Sequence, residues 1–197
     1  MRGLIALAML LAAPLAQAGA QQREPLPADI RLRLEHAVSD RPAPRLVFRN
    51  NDDGHRWLVS MSQRLENRIP DRKLRLELLR TVHFEALRAG LDPQLVLGLI
   101  EVESGFKKYA VSRSGARGYM QVMPFWIAEA RRPRDNLFHL RTNLIYGCWI
   151  LRHYLDREKG DYFRALGRYN GSLGQPEYPG QVVAAWRGRW KYGGPTA

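Results

Sequence analysis

Glu103 is the side chain around which chemistry first gathers. In a helix capped by Asp92 and opened by Pro93, at about 100° per residue, Leu95, Val96, Leu99, Ile100 and Val102 fall on one broad apolar stripe. Glu103 falls inside that stripe and Glu101 on the opposite side. A carboxyl on an apolar face is costly when ionised, and at a helix C-terminus the backbone dipole adds to the cost. Both effects raise its pKa. A carboxyl that keeps its proton near neutral pH can pass it to the leaving oxygen of a breaking glycosidic bond. Periodicity alone leaves a second reading open, in which Glu103 pairs with one of the 31 Lys and Arg residues.

The loop that follows has the composition of a ligand-binding segment. Gly105, Gly115 and Gly118 permit tight turns and close approach, and Gln121 offers both donors and acceptors suited to sugar hydroxyl and acetamido groups. Taken together, Glu103-Ser104-Gly105-Phe106 and the run from Gly115 to Pro124, Gly-Ala-Arg-Gly-Tyr-Met-Gln-Val-Met-Pro, closely resemble the soluble lytic transglycosylase (SLT) family, relatives of goose-type lysozyme. Downstream, Asn143-Leu144-Ile145 with Gly147, then Tyr154-Leu155, and finally Tyr169-Asn170-Gly171 continue the resemblance in order, over about residues 75–186. The chain departs from the family pattern at Tyr119, where Leu is common, and at Ser172, where an Ala-Gly run normally leads toward Pro.

The resemblance implies a mainly α, lysozyme-like single domain and a peptidoglycan lytic transglycosylase. It makes Glu103 the acid/base and gives Tyr169 the task of hydrogen-bonding and orienting its carboxyl. It places Ser104, Gln121, Met123 and Asn170 against substrate, and Tyr119, in the same loop, is the aromatic expected to stack on a sugar ring. It further implies cleavage of the β-1,4 bond between N-acetylmuramic acid and N-acetylglucosamine, with the muramic C6 hydroxyl closing a 1,6-anhydro ring. That mechanism needs no cofactor and no metal. The expected partner is the peptidoglycan glycan strand, with a secretion or other envelope machine as a further possibility; no nucleic acid partner is expected, and a monomer is. Two other readings remain: a lysozyme-like muramidase hydrolysing the same bond, and a non-catalytic basic wall-binding protein.

Other reactive types point elsewhere. A hydrolase with two carboxylates needs a second one about 5–9.5 Å from the acid, yet Glu129, Asp135, Asp156, Glu158, Asp161 and Glu177 all lie in charged, helix-surface or turn contexts. His36, His55, His83, His139 and His153 are scattered without metal-ligand spacing. Cys148 is the only cysteine, so no intramolecular disulfide forms, and its apolar surroundings mark it as a small buried hydrophobe.

The elements that must carry these residues begin after residue 20. Arg2, the apolar residues 4–15 interrupted by Pro14, and Ala16-Gln17-Ala18 or Ala18-Gly19-Ala20 read as a cleavable export signal, which would deliver the chain to the periplasm. About twelve apolar residues are too few to cross a bilayer that needs roughly 20. Residues 21–70 read as an N-terminal extension with one or two helices, near 29–38 and 55–68, after turn chemistry at residues 50–54. Residues 71–190 form the catalytic domain and 191–197 a tail. Within the domain, Pro70-Asp71 starts a helix that stops at Gly90, the Asp92-Pro93 helix follows, and later helices are expected near 125–131, 137–156, 161–168 and 180–186, with at most a small β element near 106–120. The net charge of +12 favours an anionic partner.

Overall fold

The computed structural model describes residues 21, 23–39, 46–48 and 50–194, so the export signal read at residues 1–20 lies outside the described residues. Among them are eight α-helices: α1 (Ala28–Ser39), α2 (Asn51–Leu65), α3 (Arg72–Arg88), α4 (Pro93–Ser104), α5 (Phe125–Glu129), α6 (Leu140–Arg157), α7 (Tyr162–Asn170) and α8 (Glu177–Arg187). The expected β element reduces to two isolated antiparallel bridges, Val111 with Arg117 and Arg117 with Val122. None of the described helices is long and apolar enough to cross a membrane.

Short acidic side chains set several helix starts. Asp71 accepts from the Leu74 amide, Asp92 from Gln94 and Asp161 from Arg164, each relieving an orphan N–H of a first turn. Asn50 does the same for α2 by accepting from Asp52 at 2.9 Å. As a result α2 begins at Asn51, inside the stretch expected to be a turn, and Gly54 falls in its first turn, where a Cβ would sit 3.0 Å from the Phe48 ring. The last helix also starts earlier than its expected residue 180, since Pro176 and Pro179 fit a helix N-terminus, where a missing N–H costs nothing.

Helix α6 forms the axis, packed by α1, α3 and α7, and its residues from Asn143 to Leu151 are all buried. The extension joins the same apolar core: Leu26, Ile30, Leu34 and Ala37 of the first segment and Trp57, Leu58, Met61 and Leu65 of α2 cluster with Leu95, Leu99, Ile145 and Leu166. Helices α4 and α8 run antiparallel, with the Trp186 indole donating to Asp92 at the start of α4 (2.8 Å) and Tyr178 reaching its end. Gly98 makes this closeness possible. A Cβ on it would lie 2.9 Å from the Trp186 backbone nitrogen.

Candidate active site

Glu103 occupies the last turn of α4, which Gly105 ends in a left-handed conformation (φ 56°). The carboxyl is 6% exposed, and its Oε2 is buried without a hydrogen-bond partner. Burial pushes its pKa up from 4.5 to about 8, even though one hydrogen bond to Oε1 pulls the other way. No neighbouring carboxylate figures among these causes. Burial thus favours the neutral form of this carboxyl, in a site that water scarcely reaches. Glu101, two residues earlier in α4, is fully engaged elsewhere: Arg68 at 2.6 Å, Arg189 at 3.1 Å and the Trp190 indole at 2.7 Å.

The bond to Oε1 comes from the Tyr178 hydroxyl at 2.5 Å, a residue that motif reading passed over. Tyr169, expected in this role, instead donates to the Met120 carbonyl at 2.7 Å. The reason is placement. Tyr178 stands on the first turn of α8, the helix laid along α4, whereas Tyr169 stands on the last turn of α7, facing the loop. Tyr169 is nevertheless close enough that the Glu103 charge, after burial, helps raise its own pKa. A signal for Tyr178 did exist, since Tyr178 and the buried Val182 share a helical face at i, i+4.

The loop residues expected to meet substrate mostly hold the loop itself. Ser104 is buried, and its hydroxyl lies 2.8 Å from the Tyr119 carbonyl and 3.2 Å from that of Ile100. The Gln121 side chain turns inward and donates to the carbonyls of Gly118 (2.9 Å) and Ala110 (3.1 Å), on a backbone held at φ 47°. Tyr119 is 2% exposed, so its ring is core and has no free face for a sugar. Met123 is half-buried and Asn170 buried beside Tyr169. Asn143 supplies the outer brace: it accepts from the Met120 amide (2.8 Å) and donates to the carbonyls of Arg117 (2.8 Å) and Leu137 (2.9 Å). Gly118 must be glycine here, because a Cβ would fall 2.5 Å from the Asn143 amide.

Such an arrangement can donate a proton from Glu103, stabilise the resulting carboxylate through Tyr178, and take a proton back. Tyr178→Phe is therefore expected to reduce turnover of a glycan substrate roughly tenfold. It should also move the alkaline limb of the pH–rate profile upward, because the lost bond favours the ionised form of Glu103. A limb that stays put or moves down would assign Tyr178 a purely structural role.

The model of the transglycosylase SLT domain matches residues 80–181, which include Glu103, the loop, Tyr169 and Tyr178. A "Transglycosylase" of Enterobacteria phage PRD1 is 34% identical over 116 residues, covering 55% of this chain and 42% of the phage protein. "Membrane-bound lytic murein transglycosylase C" of Actinobacillus pleuropneumoniae serotype 5b (strain L20) is 50% identical over 48 residues, 24% of this chain and 13% of that protein. The protein of the same name from Haemophilus influenzae (strain PittEE) is 35% identical over 105 residues, 45% and 29% respectively. The chain thus spans less than half the length of each of these relatives.

Proposed function

This chain belongs to the transglycosylase SLT family, and on that premise we propose that it is a periplasmic peptidoglycan lytic transglycosylase, cutting the β-1,4 bond between N-acetylmuramic acid and N-acetylglucosamine. The observation that carries the reading is the burial of Glu103, which raises its pKa to about 8 and so favours the acid form at a pH where an exposed carboxyl has lost its proton.

In the proposed reaction, Glu103 gives its proton to the glycosidic oxygen as the bond to the muramic C1 breaks. Positive charge develops on C1, while the new carboxylate keeps the Tyr178 hydrogen bond. That carboxylate then removes the proton from the muramic C6 hydroxyl, and O6 bonds to C1. A 1,6-anhydro ring closes, the glucosamine unit leaves with a free 4-hydroxyl, and Glu103 is protonated again. One carboxyl does both transfers because substrate supplies the nucleophile.

Mass spectrometry of digested peptidoglycan tests it. The expected fragments carry anhydro ends, with masses that sum to the uncut strand. Fragments heavier by one water per cut, with reducing muramic ends, would replace the proposal with hydrolysis.

A further inference from the structure

The turn that follows Glu103 is strained and is held from outside. Gly105 and Phe106 both take left-handed backbone conformations (φ 56° and 66°), and Phe106, unlike a glycine, keeps such a conformation only under constraint. The constraint acts on its ring, which is buried, packs 5.4 Å from the Trp190 ring and lies 5.9 Å beneath the Arg68 guanidinium. Arg68 also abuts the turn itself, since a Cβ on Gly105 would fall 3.8 Å from its Nη1.

Glu101 ties these covers together. Its Oε1 accepts from Arg68 (2.6 Å) and pairs with Arg189 (3.1 Å), while its Oε2 accepts from the Trp190 indole (2.7 Å). Arg64, in the last turn of α2, donates to the carbonyls of Arg189 (2.8 Å) and Lys191 (2.7 Å) and so pins the segment that carries Trp190. Remove the Glu101 charge, and Arg68 and Arg189 repel each other. The cover over Phe106 then opens, and its backbone relaxes toward negative φ. That relaxation acts on the end of α4, where the Gly105 amide donates to the Glu101 carbonyl (3.1 Å) and the Lys107 amide to that of Ser104 (3.1 Å). Glu103 sits within this last turn.

Taking the cleavage reading above as its basis, we propose that Glu101 is a positioning residue: through Arg68 and Trp190 it clamps the Phe106 turn, and the clamp fixes the end of α4 so that Glu103 meets Tyr178 and the scissile bond. The N-terminal extension, which supplies Arg64 and Arg68, is thereby part of the catalytic apparatus. Glu101 acts on Glu103 through the backbone alone. The titratable groups that bear on Glu103 are Tyr178 of α8 and Tyr169 of α7, whereas Glu101 projects from the opposite side of α4. Loosening the turn admits water to the Glu103 carboxyl, and water relieves the burial that raises its pKa.

Glu101→Gln tests the clamp, because it keeps an acceptor for the indole and drops both ion pairs. Per folded molecule, with folding checked by thermal melting, the variant is expected to lower kcat on soluble glycan strands about tenfold with KM little changed. It should also move the alkaline limb of the pH–rate profile downward, opposite to the shift expected for Tyr178→Phe. Independently of cleavage, hydrogen exchange at the Gly105 and Lys107 amides should quicken about tenfold while the amides of α6 keep their protection. Arg68 is about a third exposed, so Arg68→Ala decides by the same readouts if the glutamine variant is unfolded. An unchanged kcat per folded molecule, a limb that stays put or moves up, or unchanged exchange at the two amides overturns the proposal. Failure of the cleavage reading shows instead in product masses, so the two outcomes stay separate.

Discussion

Glu103→Gln is expected to lower peptidoglycan cleavage by about a thousandfold, within the range that one positioned acid/base contributes. The substitution keeps the size of the side chain and an oxygen for the Tyr178 hydroxyl, so the hydrogen bond at Oε1 survives. What it removes is the ionisable proton. Because burial favours the neutral form of the native carboxyl, a neutral amide does not introduce a charge problem. The melting temperature near pH 6 should stay within a few degrees of the wild type, and the variant should still sediment with cell-wall sacculi. Rates are measured as soluble fragments released per unit time. Retention of more than a tenth of the activity would transfer the acid/base role to another group.

That this residue was legible in the sequence follows from one fact about helices. The period of the apolar stripe is local, so Leu95, Val96, Leu99 and Ile100 identify the buried face before any partner is known. Helix starts at Asp71, Asp92 and Asp161 were legible for the same reason, since a cap acts on its own first turn. The neighbours of Glu103 were harder. Tyr178 is 75 residues away in sequence, and its helix begins among prolines that resemble a turn. Ser104 and Gln121 carry the donors and acceptors a sugar needs, but a tight loop has its own backbone groups to satisfy, and those claimed both side chains first. Tyr119 illustrates the same limit for an aromatic: its ring is equally suited to a sugar face or to a core, and only long-range packing, which buries it to 2% exposure, decided for the core.

The proton on Glu103 also ties conformational stability to pH, in a direction opposite to the usual one for carboxyl groups. Its pKa rises from 4.5 to about 8 on folding, so between those values the native state binds a proton that the unfolded chain lacks. Stability from this group is whole below pH 4.5, declines by about 1.4 kcal/mol per pH unit through the window, and is spent above pH 8. His83 works the other way. Burial lowers its pKa from 6.5 to about 4, so its unfolded form binds the extra proton in that range, and stability rises with pH until about 6.5. His153 is also lowered and acts in the same sense. The opposing slopes offset one another below pH 6.5, which leaves Glu103 exposed as the dominant dependence between 6.5 and 8. Urea unfolding across pH 5–9 should therefore show the wild type losing stability in that upper interval. Glu103→Gln removes the slope, so the variant's curve should cross the wild type's and lie above it by pH 9. Parallel curves, or a wild type that gains stability from pH 6.5 to 8, would mean that Glu103 is already ionised in the folded protein, and with that the acid required for breaking the glycosidic bond would be missing.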